Sequence, residues 1–360
     1  MKFKRFLFIF TVSVFANTLF AENKYSRFVY NGKAGLLDSE LNVVMNPDKK
    51  AIGFYYSYIM TTSYPETVRV FDENLDQLFQ KSATVKYNPI SDKYCFIKTM
   101  SQDIIFDIEE KQSIEVKNGV SAPDLNIKMA REKYVAGSFG YYSGTNLAEY
   151  SRNDDFMTVY PFNDKRAVII TQSFDFEIID DNLNVVKNDV IQCAKNYSEG
   201  LLAVKTKDGK SGFINTAGEY VFNTDFYVEN LDYSPKLIPE LDAYFSEGVA
   251  CVQTGKNKWV IYDKTGKSWN INPELKIERN TFSDGMLLVS KKDLNNKTKY
   301  GFIDKTGKEK IPCVLDSSAG FYNGIAAVVY EGKEAVLDLN GNLYFSADLM
   351  KGNKKAALKL

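Results

Sequence analysis

Phe282-Ser283-Asp284-Gly285-Met286-Leu287-Leu288-Val289, continued by Tyr300-Gly301-Phe302-Ile303-Asp304-Lys305-Thr306-Gly307-Lys308, is the pattern that the chain keeps rewriting. An aromatic side chain leads into a small-acidic-Gly turn and a short apolar strand. A second strand follows, and an Asp-x-x-Gly turn closes it before a third at Lys310-Ile311-Pro312. Glycine after an acidic residue serves a turn that needs positive φ without a Cβ penalty. Asp opens a type I turn and Gly ends it. The aromatic residue ahead of the glycine is placed to seal the core beneath the turn.

The same unit recurs from end to end. Near the amino terminus, Phe28-Val29-Tyr30-Asn31-Gly32-Lys33-Ala34-Gly35-Leu36-Leu37-Asp38 reads as a hairpin about Asn-Gly, a dipeptide suited to the two positive-φ positions of a type I′ turn. Closing turns fall at 38, 72, 107, 180, 215, 263, 304 and 338, separated by 34, 35, 73, 35, 48, 41 and 34 residues. The gap of 73 is close to two periods and places a degenerate copy near Ser143 to Asn146, making about nine units at a mean step of 37.5 residues. Asp92, Asp164, Glu199, Glu247 and Asn323 open their units 15 or 16 residues before the closing turn. Asp284 precedes Asp304 by 20, and the surplus is the polar insertion Asp293-Leu294-Asn295-Asn296-Lys297-Thr298. A fixed spacing that lengthens only at a polar loop is that of a strand-loop-strand hairpin.

Short strands at this spacing predict an all-β chain of tandem antiparallel repeats of about 37 residues. A lone unit buries too few large side chains to offset its ordering entropy, so neighbours must pack together. A β-propeller-like ring suits the period and removes exposed edges; an open superhelical β-repeat stack is the alternative. Residues 22–190 are expected to hold degenerate repeats, 191–348 clearer ones, and 349–360 a loose basic tail.

Residues 1–21 have the layout of a secretory signal peptide: Lys2, Lys4 and Arg5, an apolar run from Phe6 to Phe15, and a cleavage site at Ala21. Cleavage there takes the formal charge from −1 to −4. The expectation is an exported, monomeric protein, periplasmic, cell-surface or secreted, that does not span a membrane once mature. Neither this charge nor any basic stripe predicts nucleic-acid binding. The chain has no histidine, which excludes His-dependent nucleophilic catalysis and His-ligated zinc. Cys95, Cys193, Cys251 and Cys313 lie far apart among apolar neighbours and read as buried thiols.

The later copies resemble WG repeats, a bacterial family whose pattern runs roughly F-S-E-G-L-A-x-V, K-W-G-[FY]-[IV]-D-x-x-G-K and then a strand often containing I-P. The residues that carry the resemblance are Phe245 and Gly248, Trp259, Asp263 and Gly266 in one copy. In the next they are Phe282, Gly285, Gly301, Asp304 and Gly307, and beyond them Phe321 and Gly324. Trp survives only at 259, where Val260 replaces the following Gly; Ala34, Ser211, Tyr300 and Glu334 stand at the Trp position elsewhere. The resemblance implies a β-repeat scaffold and brings no catalytic residues with it.

Candidate sites are few. Asp180-Asp181-Asn182-Leu183-Asn184 alternates oxygens as a calcium loop does, but position six is not Gly and position twelve is Ile191, so it reads as a hairpin turn. Neither it nor Asn153-Asp154-Asp155 predicts a metal site, and no motif predicts a cofactor. Tyr55, Tyr56, Tyr141 and Tyr142 form aromatic clusters able to present rings to a glycan or an extended peptide, although strand alternation sends half of each run to the core. Two functions fit. One is an exported, non-enzymatic scaffold binding a protein or an envelope glycan. The other is an exported hydrolase in which Asp or Glu from different repeats meet, as in a glycosidase.

Overall fold

The structure, a computed structural model, describes residues 24–55, 58–63, 66–82, 84–89, 94–99, 103–114, 134–136, 140–143, 150–152, 156–228 and 240–360. The signal segment with Ala21, Tyr56 and Asn153-Asp154-Asp155 lie outside them.

Among the described residues the chain is almost wholly antiparallel β-sheet, with one short helix at Ser346–Leu349. It forms two compact units: one joins Met1–Val85 to Glu274–Leu360, the other is Lys86–Pro273. In the first unit, Lys276–Ile277, Met286–Lys292, Thr298–Asp304 and Glu309–Leu315 form one sheet in chain order. The next sheet runs Ser317–Tyr322, Ile325–Tyr330, Lys333–Asp338, Asn342–Phe345 and Leu358–Lys359. The third is Tyr25–Tyr30, Lys33–Asp38 and Val43–Lys49; the fourth is Ala51–Tyr55, Tyr58–Ser63, Thr67–Phe71 and Gln77–Lys81.

The second unit repeats the plan. A three-stranded sheet of Tyr134–Ala136, Gly140–Ser143 and Tyr150–Arg152 occupies the interval where the degenerate copy was expected. Two repeats are fused edge to edge, because the nine-residue strand Val185–Cys193 pairs with Phe176–Asp180 on one side and Leu202–Thr206 on the other. The carboxy-terminal tail departs from the loose segment expected. Leu358 and Lys359 pair with Leu343 and Asn342, and the Leu360 amide donates to Gly341 O at 2.8 Å. The apolar Leu358 and Leu360 pack on the last repeat's core, which outweighs the mobility expected of a lysine-rich end.

Alternation along each central strand explains why both faces are apolar. Leu36 packs with Ile52, Phe54, Ile59 and Phe71 of the following repeat. Leu37, one residue on, packs with Phe28 and with Ile325, Val336 and Leu349 of the last repeat. Leu337, beside Val336, joins Leu288, Phe302 and Phe321. In the first unit, one sheet therefore supplies side chains to two cores, each shared with a neighbouring repeat.

The first repeat thus packs against the last. Ser26 Oγ donates to Asn323 O at 3.1 Å, and Asn323 Nδ2 donates to Tyr25 O at 3.3 Å. The Glu334 carboxylate accepts from the amides of Asn31 and Gly32 at 2.6 and 2.9 Å. Within the first unit, the first and last repeats therefore share a core.

Candidate functional site

The acidic residues of the motif have two structural tasks. In the closing turns, Oδ1 of Asp304 accepts from the amides of Thr306 and Lys308 at 2.9 and 3.1 Å. Asp263 holds Thr265 and Lys267 in the same way, and Asp38, Asp72, Asp180 and Asp338 each hold the amides two and four residues on. Asn215 does so without a charge, at 2.9 and 3.1 Å to Ala217 and Glu219. The last turn residue sits at positive φ. Gly266, Gly307 and Gly341 occupy it late in the chain, and Leu41, Leu75 and Leu183 early on.

The opening turns place two consecutive residues at positive φ: Glu199 at 54° and Gly200 at 82°, Asp284 at 53° and Gly285 at 73°. This is the backbone of a type I′ hairpin, closed by mutual amide–carbonyl bonds between Ser198 and Leu201 and between Ser283 and Met286. The turned acid reaches the next repeat. Asp164 Oδ2 accepts from Gly200 N at 2.7 Å, Glu199 Oε2 from Gly248 N at 3.0 Å, and Asp284 Oδ2 from Gly324 N at 3.0 Å. At these three turns the acid grips the glycine amide of the following repeat. Sequence reading assigned the acid only to its own turn; the signal was the recurrence of an acid and a glycine together.

The glycine of the central strand meets a different constraint. A Cβ on Gly301 would lie 2.6 Å from Ile311 O and 2.8 Å from Pro312 C; on Gly35 it would lie 2.6 Å from Met45 O and 2.9 Å from Pro47 N. At both places the partner strand bulges, the pairing jumping from Tyr300↔Leu315 to Phe302↔Ile311 and from Ala34↔Lys49 to Leu36↔Met45. The bulge carries the proline inward onto the glycine. Where Val260 or Ala335 replaces the glycine, the partner strand holds no proline and pairs without a break.

Two arginines of the first unit, Arg27 and Arg279, take no part in the motif turns. Arg27 Nη1 donates to Ile52 O at 3.1 Å, and its Cζ lies 6.0 Å from the centre of the Phe54 ring. Phe54 stacks on Tyr322 at 4.7 Å and 12°. Burial lowers the pKa of Arg27; Tyr322 and Tyr55 work against this, and Arg279 adds to it by repulsion. Arg279 lies over Gly320, where an added Cβ would be 3.5 Å from its Nη1. It makes no hydrogen bond or ion pair among the described residues, and desolvation lowers its pKa too. Neither arginine was singled out in the sequence. The available signal was rarity, since seven arginines stand among 45 cationic residues.

Residues 300–333 match the family model described as WG containing repeat. That segment is a WG repeat. It contains Gly301, Asp304, Gly307, Phe321 and Gly324, and the closing turns at Asp180 and Asp263 have the same hydrogen-bond pattern as its own. No curated protein matches the chain. Among solved structures, the chain resembles one described as the eukaryotic initiation factor, at 12% identity and a TM-score of 0.56, covering 90% of this chain and 93% of that one. BamB from Moraxella catarrhalis matches at 13% identity and a TM-score of 0.35, over 86% of this chain and 87% of that one. The β-propeller domain of Cps50 (Swd1) from Myceliophteria thermophila matches at 11% and 0.36, over 71% and 97%. At these identities the likeness is one of fold, and only the first TM-score has weight. The fold is all-β and β-propeller-like.

Phe245, Phe282 and Phe321 are buried, Phe321 against Phe302 at 4.6 Å and Phe245 against Phe213 at 5.0 Å, each across a repeat boundary. Trp259 is half-buried in Lys258–Asp263, opposite Gln253. Tyr55 is a core ring, 6% exposed and 6.3 Å from Tyr58, so it lines no open surface; Phe54 beside it is buried too, so the strand is covered on both faces there. Tyr141 and Tyr142 pair with Ala136 and Val135 in their sheet, and their side chains lie outside the described residues. All four cysteines are buried and unpaired. Burial pushes the thiol of Cys95 up to about 12 and that of Cys313 to about 11, so neither is a thiolate at neutral pH.

Proposed function

We propose that the chain, exported through residues 1–21, is a non-enzymatic WG-repeat scaffold that binds a protein or a cell-envelope component. The observation that carries this reading is the employment of the motif acids. Asp164, Glu199 and Asp284 hold the next repeat, and the closing-turn acids hold their own backbone amides. Carboxyls fixed by amide donors are stabilised as anions, the wrong direction for a general acid. In the second unit Glu240 comes nearest to a catalytic setting, yet Tyr160 Oη bonds one oxygen at 2.5 Å and Lys195 Nζ the other at 2.7 Å. Among the described residues, no group of three His, Cys, Asp or Glu could hold a metal ion, and no helix is long and apolar enough to cross a membrane. A tandem scaffold whose motif acids at these turns serve architecture has its outer surface to offer to a partner.

Residues 22–360, immobilised and exposed separately to the protein and glycan fractions of an envelope extract, should retain one of them. Retention of neither would remove the binding reading. Shortened glycan with new reducing ends would establish the hydrolase instead.

A further inference from the structure

We infer that the strand Ser268–Asn270, which ends its sheet in the second unit, accepts an extended segment of a protein partner as an added β-strand, a segment with apolar residues at alternate positions. The inference rests on the scaffold reading above and says where and how its protein partner docks.

Strands that follow a closing turn are of two kinds, among those at a sheet's outer end whose side chains are described throughout. Val43–Lys49, Gln77–Lys81, Tyr220–Asn223 and Glu309–Leu315 bulge beside the turn, the pairing slipping between the two residues ahead of the closing Asp or Asn. Pro47 and Pro312 remove a donor from two of them. Bulges and prolines are devices by which an edge refuses a further strand. Ser268–Asn270 and Asn342–Phe345 have neither, and their pairing runs evenly to the turn. The second of these regular edges is filled by the chain's own tail. Ala357 N donates to Leu343 O at 2.7 Å and Leu360 N to Gly341 O at 2.8 Å, while Leu358 and Leu360 pack on the core that holds Ile311. The first is paired on one side only, among the described residues.

The open edge matches the filled one position by position. Ser268 follows Asp263 at the distance at which Leu343 follows Asp338, and Gly266 answers to Gly341. Lys267 O accepts from Asp263 N, and Ile271 N donates to Trp259 O. By alternation, Ser268 and Asn270 turn their amides and carbonyls away from the sheet, and both residues are exposed. Where Ile311 approaches Gly341, Phe222 approaches Gly266: an added Cβ would lie 3.4 Å from Ile311 Cδ1 and 2.8 Å from Phe222 Cβ. Phe222 stacks on Tyr262 at 5.5 Å and 25°, and both rings are only partly buried. They offer an incoming strand the apolar contact that Leu358 and Leu360 find in the last repeat. Main-chain bonds would hold such a strand and its alternate side chains would select it.

The test is fluorescence anisotropy of a labelled peptide of residues 351–360, the segment that fills the equivalent edge, titrated with residues 22–360. Saturable binding is expected. A peptide carrying A357P keeps both leucines and every lysine but lacks the amide that Leu343 O accepts, and should bind at least about tenfold more weakly. In the protein, N270P removes an outward amide and no bond of the sheet, so it should melt close to the wild type and also bind at least about tenfold more weakly. Hydrogen exchange of the wild type needs no variant: bound peptide should protect the amides of Ser268 and Asn270. No saturable binding, equal binding by the A357P peptide or by N270P, or protection that falls on Asn342–Phe345 instead would overturn the edge. An envelope protein retained equally by N270P would overturn it too and leave the scaffold reading standing. Peptide binding with the expected losses upholds the edge even where the extract yields no partner.

Discussion

At the scale of single residues, the glycines divide into two kinds that only their surroundings distinguish. Gly301 is needed because a neighbouring backbone passes too close; Gly324, at φ 79° with open space around it, is needed for its turn. Gly301→Ala therefore forces the Ile311–Cys313 backbone aside and should cost about 1–3 kcal/mol, whereas Gly324→Ala should cost about 1–2 kcal/mol from left-handed backbone alone. Chemical denaturation checks the order, and a Gly301 variant as stable as the wild type would refute the close approach. The closing-turn acids give a pH dependence of known sign. Hydrogen bonds lower the pKa of Asp180, from the Asn184 amide first, and of Asp263, from Thr265 first; at Asp304 burial opposes the lowering and the bonds outweigh it. A folded pKa below the unfolded value means that the stabilisation is complete above about pH 4 and is lost as pH falls through the lowered values. Asp263→Asn keeps the acceptor oxygen, as Asn215 does, and removes the charge. Its unfolding midpoint should fall less than the wild type's between about pH 5 and 2, measured by circular dichroism; an identical fall would show that the turn charge is idle.

At the scale of elements, the hairpins were legible in the sequence and the contacts between them were not. Asp followed by Gly at fixed spacing marked the closing turns, and Asp alone marked them at 38, 72 and 180, where leucine takes the left-handed position. Those leucines hid the pattern by covering a core: Leu41, Leu75 and Leu183 each pack on buried clusters. What reading missed is the acid-to-glycine grip, because the two partners belong to consecutive copies and no spacing within one copy encodes it. The grip has a magnitude that can be separated from surface charge. Glu199 accepts from the Gly248 amide and also pairs with Lys264 at 3.0 Å. The amide bond is charge-assisted and half-buried, worth about 1.5–3 kcal/mol, while the exposed lysine pair is worth about 0–1 kcal/mol. Glu199→Ala should therefore destabilise well beyond Lys264→Ala. Equal losses in urea unfolding would mean that the ion pair, not the grip, holds these repeats.

At the scale of the molecule, the decisive contact joins residues about 300 positions apart, since Glu334 accepts from Asn31 and Gly32 while Phe28 and Leu37 share a core with Ile325, Val336 and Leu349. A tandem array whose end repeats are free loses one interface when an end repeat is removed. Here the first repeat has a neighbour on each side, through Leu36 and through Leu37. Deleting residues 24–50 should therefore expose two apolar faces and leave a chain that melts much earlier, less cooperatively, or aggregates. Removing 351–360 takes away a two-residue strand and a few apolar contacts, and should cost far less. Melting curves with size-exclusion profiles of both truncations decide the matter. If loss of the first repeat leaves midpoint and cooperativity close to those of the full chain, the contact between the ends does not hold the fold.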